Sequence, residues 1–357
     1  MDYLNRLNDV RTYMREHDLD GFITSRLIHC RYVSGFSGSN ASVLVTHDSA
    51  TLFTDSRYGQ QAHSQSPHCQ IIIERNVVVA AVQQARINGL RKIGFESVHV
   101  SVNDFKHLND IANGFNIELV ACVDVIEDLR KVKSAEEIQA IEKACDITDL
   151  AWAQLLDEGV LGKTEVELAG RLEMLFRVHG AEDRAFETIV ATGPHSAIPH
   201  HEPSLRTVVH GDFLKIDCGA RFEGYHADMT RTVVVGQAAD WQKEIYAVVL
   251  DAQTTARNAV KPGVDSFIMD SVARSIVTDA GYGPQFLHQL GHGVGLEIHE
   301  RPFLGRQDGI LAPCMPITIE PGIYLEGRGG VRIEDTLVVV EAGHRNLTKS
   351  PRELLEV

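Results

Sequence analysis

The stretch Gly291-His292-Gly293-Val294-Gly295-Leu296-Glu297-Ile298-His299-Glu300 decides how the chain is read. Two histidines stand seven residues apart among three glycines. His292 can place an imidazole nitrogen on a metal ion. Gly291, Gly293 and Gly295 leave a strand bare enough for a ligand or a second backbone to come close. A histidine alone is more often a hydrogen-bonded core residue, so its meaning turns on whether carboxylates accompany it. Asp217, Asp228, Glu320 and Glu334 do, each in a strand-like stretch beside glycine or proline.

The acids have an organised spacing. Residues 213–217 read as a strand, 220–224 as a turn, and 228–232 as the start of the return strand. Such a hairpin can bring Asp217 and Asp228, eleven residues apart, side by side. Neighbouring carboxylates repel unless they are protonated or neutralised by cations. Glu320, in Ile319-Glu320-Pro321-Gly322, and Glu334, in Arg332-Ile333-Glu334-Asp335, add two more strands. Four carboxylates and one imidazole suit Mn²⁺, Co²⁺, Fe²⁺ or Zn²⁺ better than a thiolate-type structural site would. The count fits two ions sharing bridging carboxylates, about 3.5–4 Å apart in hydrolytic centres.

Length and composition set the frame. At 357 residues two domains are expected. Hydrophobic content of 44% and charged content of 23% are those of an ordinary globular protein. A net charge of −15 argues against nucleic acid as a partner, which needs a basic face. Cys30, Cys69, Cys122, Cys145, Cys218 and Cys314 are scattered without a CxxC pair, so neither a zinc ribbon nor a disulfide framework is expected. Cys218, beside Asp217, reads as a small buried strand residue rather than a nucleophile. The N-terminus opens on Leu4, Leu7, Val10 and Met14 at helical spacing, with no leader pattern. No apolar run approaches membrane-spanning length. A cytoplasmic protein is expected from these features.

Residues 1–125 alternate strands and helices, an α/β pattern with no catalytic constellation of its own. A helix is expected over 2–17, strands at 21–24, 41–46, 50–54, 71–74, 92–95 and 117–119, and a Gly/Ser turn at 32–39. That turn lacks the Lys-Ser/Thr of a phosphate loop. Residues 126–357 form the second domain. Ser134-Ala135-Glu136-Glu137 and Thr164-Glu165-Val166-Glu167 are capping boxes opening helices. Two further helices cover about 240–260 and 265–280, with strands at 213–218, 230–235, 317–319 and 331–340. Helices segregated from an antiparallel sheet make an α+β domain.

The segments around Asp217, Asp228, His292, Glu320 and Glu334 resemble, in order, the ligand segments of the pita-bread metallopeptidases, the family of methionine aminopeptidase, aminopeptidase P, prolidase and creatinase. The interdomain stretch from Leu129 to Ile138, with Ser34–Ser39 and Asp55–Tyr58, is similar to the proline-specific branch. The resemblance covers nearly the whole chain. It implies an α+β pita-bread catalytic domain behind a smaller α/β creatinase-like domain. It implies two divalent metal ions per subunit, Mn²⁺ first, with Co²⁺, Zn²⁺ or Fe²⁺ as alternatives. Asp217 would bind one ion, Asp228 and Glu334 would bridge, and His292 and Glu320 would complete the second. A metal-bridged hydroxide would attack the scissile carbonyl, with Glu320 as proton shuttle. His200 and His299 would face the substrate and the tetrahedral oxyanion, with His288 in the same pocket. Of the adjacent pair, His200 is preferred to His201 because it directly follows Ser-Ala-x-Pro. Arg332 and Tyr324 match supporting positions, Arg332 counted with the catalytic set and Tyr324 with the substrate-binding one.

The implied substrate is a small peptide with proline in second position, cleaved after its first residue by a homodimeric enzyme with no nucleic-acid or membrane partner. The lead reading is aminopeptidase P, partly on the Ser34–Ser39 stretch. The alternative is Xaa-Pro dipeptidase (prolidase), which must close its site around the dipeptide carboxylate; Arg332 is a candidate for that closure. A creatinase-type hydrolase or a non-catalytic peptide-binding module is more remote, because all five ligand positions are intact.

Overall fold

The short apolar runs of the N-terminal part assemble into one mixed sheet in the computed structural model, which describes residues 1–357. Its six strands run in the order Gln70–Ile73, Ala50–Thr54, Ala41–Thr46, Gly21–Thr24, Lys92–Glu96 and Glu118–Cys122. The central strand Gly21–Thr24 is antiparallel to Ala41–Thr46 and parallel to Lys92–Glu96. Strands Ala41–Thr46 and Ala50–Thr54 are buried along their whole length, as expected for apolar runs covered on both faces. The stretch read as a turn over 32–39 is only half a turn. Leu27–Ser34 is helical, and its last serine donates back to the Cys30 carbonyl at 2.6 Å.

The chain divides into two compact units, Met1–Leu129 and Arg130–Val357. In the second, both capping boxes form. Ser134 opens the helix Ala135–Asp157 and Thr164 opens Glu165–Val178, each with its N3 glutamate returning to the cap N–H. These two helices pack Ile147, Leu155, Leu168, Leu172 and Phe176 onto Leu214, Ile216, Met229 and Val233 of the sheet that pairs Phe213–Cys218 with Met229–Val234. The helices Asp240–Ala259 and Ser266–Asp279 do the same for a five-stranded sheet, with Ile245, Val249, Met269 and Val277 against Ile317, Ile319, Leu337 and Val339. No helix is long and apolar enough to cross a membrane.

Strand alternation then decides what faces the other way. Where Leu214, Ile216 and Cys218 enter the core beneath the helices, Lys215 and Asp217 point to the opposite face. Where Ile317 and Ile319 enter the second core, Thr318 points the other way. The strand expected over 331–340 is two strands on different sheets. Gly329–Arg332 pairs with Gly322–Leu325, and Asp335–Val340 pairs with Pro316–Ile319. The chain changes partner at Ile333-Glu334, and the Glu334 amide donates to the Thr230 carbonyl of the first sheet at 3.1 Å.

Candidate metal centre and active site

The β-hairpin carries Asp217 opposite Thr230, with Asp228 just before the return strand Met229–Val234. Between the two acids the chain inserts the short strands Ala220–Phe222 and Tyr225–His226. His292 enters from the three-residue strand Gly291–Gly293. Its neighbours must be glycine: a Cβ on Gly291 would stand 2.2 Å from the Thr318 carbonyl oxygen, and one on Gly293 would stand 2.3 Å from that of Arg301. The bare strand therefore serves the close approach of other backbones. At Gly295 the crowding atom is the Glu300 carboxylate, 2.4 Å from a Cβ.

Asp217, Asp228, His292 and Glu334 are buried, and with Glu320 they line one cavity of about 960 Å³. One ligand-capable atom from each of Asp228, His292 and Glu334 lies within 4.8 Å of the others. The His292 Nδ1–H donates to the Gly293 carbonyl at 3.0 Å, which turns Nε2 toward Glu320 Oε1 at 3.3 Å and Asp228 Oδ2 at 3.5 Å. Such an imidazole needs a proton or a cation between itself and the carboxylates. Asp217 Oδ1 and Glu334 Oε1 are buried and accept no hydrogen bond, although Asp217 Oδ2 receives Arg332 and Glu334 Oε2 receives the Thr230 hydroxyl at 2.7 Å. Unpaired buried carboxylate oxygens beside an oriented imidazole are what a hard divalent cation requires. The residues fit divalent cations.

The protonation pattern has the same origin. Burial, then the charge of Glu334, pushes the Asp228 carboxyl well above its usual range, and burial with the Glu320 charge does the same to Glu334. Burial also works to raise Glu320, but the His292 hydrogen bond and charge outweigh it and bring Glu320 down to about 2. A cluster that crowds negative charge against its own protonation equilibrium is a site prepared for cations.

The surrounding residues fall into two groups. His200, His288, His299 and Arg332 line the cavity with the acids. His201 lines it too, but its Nε2–H is tied to Glu165 Oε2 at 2.8 Å, which leaves His200 as the exposed member of the pair. The His299 ring lies 4.3 Å from that of His292, and burial followed by the His292 charge lowers its pKa. Tyr324, expected to touch substrate, stands behind the cavity lining and is 3% exposed. Burial raises its phenol to about 12, so it keeps its proton, donating to His288 Nε2 at 2.7 Å and accepting from Arg332 Nη1 at 2.8 Å. Arg332 is engaged by Asp217, by Tyr324, by Thr230 Oγ1 at 2.9 Å and by the Pro199 carbonyl at 3.2 Å. Four of its five N–H donors are thereby engaged inside the protein, which leaves a single N–H for a substrate carboxylate.

Two residues were not singled out from the sequence. Arg306 lines the cavity and stacks on Phe303 at 5.0 Å, with no internal carboxylate paired to its guanidinium. It lies in a loop with no motif to mark it. Glu300 pairs with Arg130 and with Lys133, the latter at 2.7 Å, and its Oε2 accepts from the Glu297 amide at 3.1 Å. It thereby fixes the turn that carries His299. The two basic partners, 167 and 170 residues earlier, gave no local signal.

Two helix-backed sheets holding an acid and histidine cluster in a cleft define a metal-dependent hydrolase. Residues 139–341 match metallopeptidase family M24, and residues 6–132 match the creatinase/prolidase N-terminal domain. The chain belongs to metallopeptidase family M24, with a creatinase-like domain ahead of a pita-bread catalytic domain. It is 39% identical over 359 residues to an Xaa-Pro dipeptidase of Pyrococcus horikoshii, covering 99% of this chain and 100% of that one. Among solved structures it resembles an Xaa-Pro dipeptidase from Bacillus anthracis, with a TM-score of 0.95 and 35% identity over 100% of both chains. It also resembles an X-Pro aminopeptidase from Thermotoga maritima, with a TM-score of 0.89 and 36% identity over 95% of this chain and 98% of that one.

Proposed function

We propose that this metallopeptidase is an Xaa-Pro dipeptidase, releasing the first residue from dipeptides whose second residue is proline. The aminopeptidase P reading favoured from sequence gives way to its alternative. The full-length relatives named Xaa-Pro dipeptidase support this, and the carrying observation is Arg306. A dipeptide substrate places its free carboxylate beside the scissile bond, and a planar guanidinium without an internal anion is suited to hold it.

In this reading Asp217, Asp228, His292, Glu320 and Glu334 hold two divalent ions, Mn²⁺ by preference. When bound, the ions supply Lewis-acid polarisation of the scissile carbonyl and lower the pKa of water. The chain's own groups do the rest. Glu320 accepts and relays a proton. His299 and His200 donate to the carbonyl oxygen as it gains charge, a bond that strengthens only toward the transition state. His288, kept neutral chiefly by burial and oriented by Tyr324, closes the pocket wall against the proline ring. An Xaa-Pro bond has no N–H to recognise, so apolar and imidazole surfaces suit it. Free thiols at all six cysteines fit a reducing cytoplasm, and a homodimer completes the proposal, testable by sedimentation.

The cavity volume of about 960 Å³ favours one second reading, because it lies at the upper end of the ~300–1,000 Å³ range of small-ligand sites and leaves room past proline. The test compares Xaa-Pro, Xaa-Pro-Xaa and Met-Ala peptides under Mn²⁺, with wild type and Arg306→Ala. A dipeptidase predicts a preference for Xaa-Pro and a KM for it raised ~10–100-fold by the substitution, a value of about 1.5–3 kcal/mol for a charge-assisted contact. Equal or better cleavage of Xaa-Pro-Xaa, unaffected by Arg306→Ala, selects aminopeptidase P. Cleavage of Met-Ala alone refutes both.

A further inference from the structure

Lys215 has no place in the chemistry above, yet it is a lysine with 0% exposure in the middle of the strand Phe213–Cys218. An ammonium is costly to bury unless its donors are used, and an apolar residue would serve the sheet as well. Its Nζ donates to the Ile198 carbonyl at 2.6 Å and approaches the Pro199 carbonyl at 3.4 Å. It also lies 5.0 Å from the centroid of the Tyr324 ring. Arg332 Nη1 donates to the same Pro199 carbonyl at 3.2 Å. Two basic side chains therefore converge, as hydrogen-bond donors, on the peptide units immediately before His200.

That segment has little else to hold it. It runs from the 3₁₀ turn Gly193–Ala197 into irregular backbone with no sheet partner. Its flanks are anchored by the buried Glu165, which accepts from the Thr192 amide at 2.7 Å, the Ser204 amide at 2.9 Å and His201 at 2.8 Å. Between these anchors the Ile198 side chain is 46% exposed and His200 is open to the cavity. The interior grip on Ile198 and Pro199 comes from the floor of the sheet.

We propose that Lys215 is a positioning residue for the reaction: through the Ile198 and Pro199 carbonyls it sets where His200 stands in the cleft. This rests on the reading of His200 as a substrate-facing group. Removing the Nζ donor leaves Ile198 without its donor and Pro199 with Arg332 alone, so the backbone before His200 shifts. A displacement of about 1 Å at a reacting group costs on the order of 10²-fold in rate.

The experiment is a double-mutant cycle of Lys215→Met and His200→Ala in the Mn²⁺-loaded full chain, assayed on an Xaa-Pro dipeptide, with metal content, Tm and amide hydrogen exchange measured on each variant. Lys215→Met is expected to lower kcat ~10–100-fold with KM changed less than about threefold, to keep its metal, and to speed exchange across residues 198–201. In the His200→Ala background the same substitution is expected to change kcat less than about twofold, because the group it positions is gone. Equal losses in both backgrounds, unchanged kcat in the wild-type background, lost metal, or unchanged exchange overturn the proposal alone. A harmless His200→Ala overturns the reading of His200 and the proposal with it. If Lys215→Met does not fold, Lys215→Gln, with its shorter donor, must give the same non-additive pattern or the proposal fails.

Discussion

Glu334→Gln should stabilise the metal-stripped protein while abolishing stabilisation by metal. Glu334 is 1% exposed, and its Oε1 has no hydrogen-bond partner. Ligand atoms of Asp228 and Glu334 lie within 4.8 Å, where two unit charges at an effective dielectric of about 20 repel by about 3.5 kcal/mol. Protonation limits that penalty, but holding a carboxyl protonated three pH units above its ordinary value costs about 4 kcal/mol, a similar amount. The amide of Gln keeps an oxygen for the Thr230 hydroxyl, 2.7 Å away, and offers an N–H₂ toward the remaining acids. The net gain should be about 2–3 kcal/mol, or roughly 5–10 °C in Tm for a domain of this size. The sign follows from the raised folded-state pKa of Glu334, caused first by burial and then by the Glu320 charge. A raised group contributes stability that is full below its unfolded value and lost as pH climbs through the folded one. The wild-type apo-protein should therefore weaken from about pH 5 upward relative to the variant, and the two should converge at lower pH. Calorimetry in EDTA and in Mn²⁺ across pH 4.5–8.5 measures this. An apo-variant that melts below apo-wild type at pH 8, or a gap independent of pH, refutes the reasoning.

Further outcomes are expected. His299→Ala should lower kcat ~10²–10³-fold with little change in KM and full metal content, measured by steady-state kinetics and metal analysis. Glu300→Gln should destabilise by about 3–5 kcal/mol, because Arg130 and Lys133 lose their buried anion. Burial tends to raise the Glu300 carboxyl, but Lys133 and then Arg130 hold it at about 2, so its stabilising share is present above about pH 4.5 and lost toward pH 2. Melting curves between pH 5 and 3 should accordingly fall more steeply for wild type than for the variant. Gly293→Ala should reduce the yield of folded, metal-binding protein, since its Cβ would meet the Arg301 carbonyl oxygen at 2.3 Å; normal expression with wild-type Tm would contradict this.

The ends of helices and the faces of strands were legible because their signals are local. Ser134 with Glu137, and Thr164 with Glu167, state a helix start within four residues, and both caps form. Alternation along residues 213–218 separates core from site without any knowledge of the partner strand. The acids and His292 stood in motifs whose order alone related them to a family. Where a signal was not local the reading slipped. Residues 331–340 look like one apolar strand, because nothing in their composition says that the ladder changes partner at Ile333-Glu334. Residues 32–39 look like one turn, because Gly and Ser near a helix end resemble a loop.

By itself, then, the sequence determined the two-domain α/β and α+β organisation and the set of residues able to bind hard cations. Those properties follow from side-chain chemistry and short-range periodicity. The tertiary structure decided how the residues are used: Arg332 is engaged by Asp217, Tyr324 and Pro199, Arg306 stands unpaired in the cleft, and His201 is tied to Glu165 while His200 is open. It also brought Lys215 beneath the loop of His200 and Glu300 beneath that of His299. These assignments depend on which donors remain once partners distant in sequence have met, and only the folded chain brings those partners within hydrogen-bonding distance.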